Sequence, residues 1–314
     1  MGTNRSFTKG LGLVAAAGAA ALGWSLLEAR MYTLREFTVP VLPAGSSELR
    51  LLHISDLHLT PARTELAAWV RDLSSLQPDL VINTGDNIAH RDALPTLLTA
   101  LEPLLELPGA FVLGSNDYFE PVLKNPAAYL RRPTIRPAGG SSTEAESEPN
   151  RLPTADLRGY LGMGGWLDLS NSRGNLQHDG LGIELVGVDD PHLGWDRYPE
   201  QVAKKSGALR LGVTHAPYRR VLDVMVDDDV DLILAGHTHG GQLAVPGYGA
   251  LVTNCDIDTK RAKGLHGWPG ARPTLDPNSA WLHVSAGLGT SPYTPVRFAC
   301  RPEASLLRLV PVSA

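Results

Sequence analysis

The chain has 314 residues and a formal charge of −5, from 28 Lys and Arg against 33 Asp and Glu, with ten histidines counted neutral. Hydrophobic residues make up 43% and charged residues 19%, which leaves enough apolar surface for a sizeable core and excludes wholesale disorder. The mild acidity speaks against a general nucleic-acid binder, and Cys255 and Cys300 alone can build neither a disulfide framework nor an all-cysteine zinc site.

The first element is an uncharged run, Gly10 to Leu27, preceded by Arg5 and Lys9. As a helix its 18 residues would reach about 27 Å, close to the ~30 Å hydrocarbon core of a bilayer. The expectation is a single membrane anchor with its linker over residues 1–40. A cleaved signal peptide and a buried or surface hydrophobic helix are the alternatives. The run closes on Leu26-Leu27-Glu28 rather than on a small-residue cleavage site, which disfavours the signal peptide. Arg5 and Lys9 hold the N-terminus inside and place the body on the extracytoplasmic face, although Arg30 and Arg35 follow on the other side.

Short apolar runs then alternate with amphipathic stretches. Leu51–Ile54, Asp79–Ile82, Ala110–Leu113, Ile183–Val186, Leu209–Val213 and Asp231–Leu234 read as strands bounded mostly by Gly, Pro, Asn or Asp. Leu66, Trp69, Val70, Leu73 and Leu76 follow helical spacing, as do Tyr218, Val221, Leu222 and Met225. This strand-helix rhythm implies an α/β fold with helices packed outside parallel-type strands. Residues 132–154, rich in Pro, Gly, Ser and Glu, read as a flexible surface insertion, because the rhythm resumes beyond them.

Five of these strands end in Asp, Asn or His. Asp56 and His58 follow the first, Asp86 the second, Ser115, Asn116 and Asp117 the third, His215 another, and His237 and His239 the last. Ligands of open α/β sheets gather at the carboxyl ends of strands. Mixed imidazole and carboxylate donors suit zinc, manganese or iron; calcium would want an all-oxygen shell. A pair of divalent ions needs one bridging carboxylate and separate terminal ligands, and this set supplies both. Each motif alone is weak, since a single histidine at a strand end is more often a hydrogen-bonded core or surface residue. Five in succession are not.

With these blocks in view, the chain resembles the calcineurin-like metallophosphoesterases. The family's Asp-x-His, Gly-Asp, Gly-Asn-His-Asp/Glu, Gly-x-x-His and Gly-His-x-His stand here as Asp56-Leu57-His58, Gly85-Asp86, Gly114-Ser115-Asn116-Asp117, Gly212-Val213-Thr214-His215 and Gly236-His237-Thr238-His239. The run Ala235–Gln242 and the tail from Gly287 to Glu303 are similar to the membrane-associated bacterial branch. The resemblance implies a four-layered α/β/β/α sandwich over residues 48–312. It further implies one metal on Asp56, His58 and His239, a second on His215, His237 and an amide oxygen, and Asp86 bridging them. Mn, Fe and Zn all suit such a pair.

The third block departs from the family. Strict register puts Ser115 at the metal-ligand position and Asn116 where the family has histidine. An amide oxygen is the better neutral ligand, so Asn116 is expected to reach the second metal after a small backbone adjustment. The absent histidine would stabilise phosphoryl oxygens or protonate the leaving group, so its loss favours substrates with good leaving groups or requires another donor. His192 is one candidate, although a loop histidine at the surface is the leading reading. Asp189 and Asp190 read as turn or supporting residues, and His53, on the opposite strand face from Asp56, as a core or supporting one. His90, His178, His266 and His283 carry no assigned chemistry, and Tyr118 either lines the cleft or packs.

The expected activity is hydrolysis of a phosphate ester, with diesters favoured, by a hydroxide bridging two divalent metals; Asp86, Asn116 and His215 carry the chemistry. Two alternatives remain. One is a membrane-bound hydrolase of lipid headgroups or lipid pyrophosphates. The other is a non-catalytic metal-binding sensor or scaffold. No stable nucleic-acid partner is expected.

Overall fold

Alternation along the strands decides how the layers stack. The computed structural model describes residues 3–123, 136–138, 140 and 150–312, with the backbone alone over 3–15. In chain order the elements are α1 (Thr3–Glu28), β1 (Thr33–Leu42), β2 (Leu49–Ile54), α2 (Thr64–Asp72), β3 (Leu80–Asn83), α3 (Leu94–Leu101), β4 (Gly109–Phe111), α4 (Ser115–Tyr118), α5 (Thr154–Met163) and β5 (Leu167–Asp168). They continue with β6 (Ser172–His178), β7 (Leu181–Gly187), β8 (Leu209–Thr214), α6 (Arg219–Asp227), β9 (Leu232–Ala235), β10 (Ala244–Val245), β11 (Gly249–Ala250), β12 (Gly264–Trp268), β13 (Ala280–Val284) and β14 (Glu303–Pro311).

Two six-stranded sheets result, ordered β1-β14-β2-β3-β4-β5 and β12-β13-β9-β8-β7-β6. In the first, Leu51, Leu80, Ile82 and Ala110 point between the sheets, where they meet Leu211, Val213, Leu232 and Leu234 of the second. The alternate positions Leu52, Ile54 and Val81 point outward against Leu66 and Val70 of α2, Leu97 and Leu101 of α3, and Leu157 and Leu161 of α5. On the far side, Ile233 and Ala235 turn to Val221, Leu222 and Met225 of α6. Period-two alternation in strands buried on both faces therefore produces the expected four-layered α/β/β/α sandwich.

Strands β2, β3 and β4 run parallel, as do β7, β8, β9 and β13, so their carboxyl ends lie at one rim of each sheet. Backbone bonds tie the loops beyond them together: Asp56 N donates to Gly85 O at 2.9 Å, Gly236 N to His215 O at 2.8 Å, and Leu288 N to Ser55 O at 3.1 Å. Strands β1, β5, β6 and β10 to β14 have no counterpart in the sequence reading. β6 leaves no residue fully buried, and so carries little apolar signal.

The membrane expectation does not gain support. Among the described residues no helix is long and apolar enough to cross a membrane. The expected anchor, Gly10–Leu27, begins on residues 10–15, whose side chains lie outside those described. The end of α1 is instead bonded to the folded body. Arg297 N donates to Ser25 O at 3.0 Å, and the N–H groups of Ala299 and Cys300 donate to the Glu28 carboxylate at 3.1 and 2.8 Å. Most of the expected insertion over 132–154 also lies outside the described residues. Cys255 and Cys300 are both buried free thiols, so no bridge joins them.

Candidate metal centre

Five of the polar residues singled out in the sequence leave their strands through a sharp backbone turn. Asp56, His58, Asp86, His237 and His239 all have φ between 43° and 69°, in the left-handed region that L residues avoid. Such positions cost about 1–3 kcal/mol each and persist where the surroundings over-determine them. Close packing enforces the geometry. A Cβ on Gly114 would strike the Asp86 carboxylate, and one on Gly236 would strike the Ser55 hydroxyl, so backbone alone fits behind these side chains.

Two donor groups result, Asp56 with His58 and His239, and Asp56 with Asp86 and His215. The Nε2 atoms of His58 and His239 face each other at 3.1 Å across stacked rings. His239 Nε2 lies 3.5 Å from Asp56 Oδ1, His58 Nε2 3.5 Å from Asp86 Oδ2, and His215 Nε2 3.6 Å from Asp86 Oδ1. Asp56 is common to both groups, and Asp86, a member of the second, also reaches His58 of the first. His237 Nδ1 is 3.3 Å from His215 Nε2, and the other His237 nitrogen faces the Asn254 carbonyl at 3.2 Å.

Burial outweighs the attraction of Asp86 and holds His58 down at about 4, and burial likewise keeps His237 and His239 well below the ordinary imidazole range. These rings are therefore neutral at pH 7. The Nε2 atoms of His58 and His239 and the Asp56 and Asp86 carboxylate oxygens converge on one place, and this mixed imidazole-carboxylate set fits Zn, Mn or Fe. His215 behaves differently. Burial pulls it down, but Asp86, Asp190 and Asp56 together raise it to about 9. Its Nδ1 donates to Thr84 O at 2.7 Å, which aims Nε2 into the site. Burial pushes Asp56 up to about 6, whereas His215, His58 and hydrogen bonds from Asn116 overcome burial and hold Asp86 well below the usual range.

Asn116 lies at the rim of this group. Its backbone N–H donates to Asp86 Oδ1 at 2.8 Å and its amide Nδ2 to Asp86 Oδ2 at 2.7 Å. Ser115 opens α4 and lines the same cleft. Asp117 turns away and accepts the N–H groups of Gly114, Asp86 and Asn87 at 3.0, 2.8 and 2.7 Å, which fixes the loop carrying Asp86. His192 lines the cleft with its ring 4.6 Å from that of His237, and its Nδ1 is 3.1 Å from the Tyr218 hydroxyl. Asp190 accepts the His192 N–H, and Asp189 accepts the Tyr118 hydroxyl at 2.7 Å. Tyr118 is buried and packs edge-on against Trp195, so of its two expected places it takes the packed one.

Sequence reasoning left out several supporting groups. His283, given no chemistry, is buried and contacts His53 at 2.8 Å; His53 in turn reaches Thr84, which leads through Ser55 to Asp56. Arg297, also fully buried, donates to the carbonyls of Ala286, Gly287 and Gly289 and lies 3.3 Å from His239 Nδ1. Asn254 sits in the left-handed region beside His237. Of these, only the glycine pair around Leu288 had left a trace, as part of the tail resemblance. His90 and His178 lie beside surface carboxylates, and His266 Nε2 faces the Lys263 carbonyl.

Comparison with known proteins adds to this geometry. Residues 49–241 match the calcineurin-like phosphoesterase family. The chain is 26% identical to the uncharacterised metallophosphoesterase YkuE of Bacillus subtilis, over 98% of this chain and 97% of that one. It is 27% identical to the phosphodiesterase YaeI of Escherichia coli, over 85% of this chain and 84% of that one. Among solved structures it is similar to TT1561 of Thermus thermophilus, with a TM-score of 0.41 and 12% identity over 77% of this chain and 91% of that one.

Proposed function

We propose that this chain, which belongs to the calcineurin-like phosphoesterase family, hydrolyses phosphodiesters at a pair of divalent cations. The observation that carries the reading is Asp86, a carboxylate whose two oxygens face His58 on one side and His215 on the other. The similarity to a relative named a phosphodiesterase supports diesters over monoesters.

Asp56, His58 and His239 would hold one cation, and His215, His237 and the Asn116 side chain, whose amide already reaches Asp86, the other. When bound, divalent ions supply positive charge for the phosphoryl oxygens and make a water more acidic for in-line attack on phosphorus. The chain's own groups do the rest. Thr84 O fixes the His215 tautomer, Asp117 fixes the turn that presents Asp86, and Asn116 holds Asp86 in place through two donors. His192, on the cleft wall beside His237, would donate the proton to the departing oxygen in place of the family's missing histidine.

The test is turnover of bis(p-nitrophenyl) phosphate by the metal-loaded protein and by Asp86→Asn, His215→Ala and His239→Ala. Each variant should lose activity, as should the metal-stripped wild type. A folded, metal-loaded wild type inert towards mono- and diesters would replace the enzyme with a binding protein.

A further inference from the structure

The metal centre forms one end of a cleft of about 350 Å3, and the residues of the other end share one property. Asp86 is the only Asp, Glu, Lys or Arg among the described lining residues, and it is already committed to His58, His215 and Asn116. Among the described lining residues no Lys or Arg waits for a second phosphate or a carboxylate. Away from the metal ligands Pro121, Val122, Leu243, Leu251, Val252 and Val296 form the apolar part of the wall. Its polar residues there, such as Gln242, Thr253, Ser291 and Thr294, are uncharged. Leu243 and Leu251 flank a hairpin, β10–β11, in which Ala244 pairs with Ala250. They are thus the next opposed positions and stand together at the cleft. Their exposures are 48% and 55%, and Val122, which lines the same cleft, is 51% exposed. A hydrocarbon surface of this kind, continuous with a reactive centre, gains free energy only when apolar matter covers it.

We infer that this wall is a subsite for an aliphatic substituent of the substrate, so that the phosphoester is an amphiphile with a neutral hydrocarbon arm. The inference rests on the proposed hydrolysis at the adjacent centre. A second observation points the same way. The strand of chain that supplies Val296 continues into Arg297, Ala299 and Cys300, which bind the end of α1. There Leu22, Trp24, Leu26 and Leu27 are 44–56% exposed, so the segment joined to the cleft wall carries exposed apolar surface of its own.

The experiment is a series of alkyl p-nitrophenyl phosphates from methyl to octyl, each used as a monomer. Water oxygen bonds to phosphorus, the bond from phosphorus to the aryl oxygen breaks, and alkyl phosphate, nitrophenolate and a proton leave. On the wild type, kcat/KM should rise by up to about fourfold per added methylene until the wall is covered. The octyl-to-methyl ratio should fall at least about tenfold in Leu243→Asn/Leu251→Asn. A ratio near one in the wild type, or the same ratio in the double variant, overturns the subsite. If no ester is turned over, the hydrolytic reading fails, and calorimetry with methyl- and octylphosphonate reads the subsite independently. Tighter octylphosphonate binding in wild type but not in the double variant supports it, whereas equal binding of the two overturns it. Hydrolysis of phosphatidylglycerol vesicles beside the monomeric octyl ester identifies a bilayer source. Hydrolysis of the monomer alone identifies a soluble amphiphile, and both results support the subsite.

Discussion

His53 and His283 lie 230 positions apart in the chain and meet inside the sandwich with their Nδ1 atoms 2.8 Å apart. The carboxylate at the end of the chain they begin orders the protons along it. Asp56 accepts from Ser55 Oγ at 2.5 Å, Ser55 accepts from Thr84 Oγ1 at 2.7 Å, and Thr84 must then accept from His53 Nε2 at 2.9 Å. His53 Nδ1 is left as acceptor for His283 Nδ1–H. The remaining His283 nitrogen, Nε2, then carries no proton, and it is the one that lacks a partner. Every donor therefore points towards Asp56.

That ordering predicts that Ser55→Ala weakens metal binding without disturbing the ligands themselves. Partners that orient a ligand are worth about 10–100-fold in affinity or activity. Titration of the metal-stripped variant with Zn or Mn checks it, and wild-type affinity would show that Asp56 needs no such support. His53→Gln should have a smaller effect, being two hydrogen bonds further away.

The same pair makes stability depend on pH. Burial pushes His53 down to about 3, while in the unfolded chain it titrates near the ordinary value of 6.5. Below pH 6.5 the unfolded state takes up a proton that the folded state refuses, so stability present above that value is lost as pH falls towards 3. The slope from this one residue is about 1.4 kcal/mol per pH unit. Urea unfolding of wild type and His53→Gln between pH 7 and 4 should show the variant falling less steeply, and parallel curves would count against it.

Metal binding carries the opposite proton. His215, held at about 9 by Asp86, Asp190 and Asp56 against the pull of burial, is protonated at neutral pH when no cation is present. It must release that proton to coordinate, so apparent affinity at its site should rise by about tenfold per pH unit from 6 to 8. Calorimetry in buffers of different ionisation enthalpy measures the proton released. No proton release at pH 7 would contradict the assignment.

Proton donation by His192 is testable through the leaving group. His192→Gln should lower kcat on alkyl-alkyl diesters by about 10²–10⁴-fold. Nitrophenyl esters, whose leaving group needs no proton, should be nearly spared. Equal losses on both would make the ring a structural neighbour of His237 only.

Local pattern alone determined a good part of this protein. Asp56, Asp86, His215 and His239 could be read as a set because each follows directly on an apolar run, and a strand's end can be read from a few residues. The strand-helix rhythm gave helices outside parallel-type strands, but the four-layered order came from the family resemblance. The structure shows how that order arises, with Leu51 and Leu52, or Leu232 and Ile233, facing opposite ways. Which groups touch was decided only by tertiary structure. Asn116 reaches Asp86 through the turn that opens α4, and Arg297 reaches His239 through a loop without periodicity. His283 finds His53 because β13 packs against β9 in one sheet while β2 lies in the other. The apolar wall is assembled from three loop regions around residues 121, 243–252 and 296, none with a pattern of its own. The donors are thus set by neighbours along the chain, whereas their partners and the shape of the cleft are set by the register and stacking of two sheets.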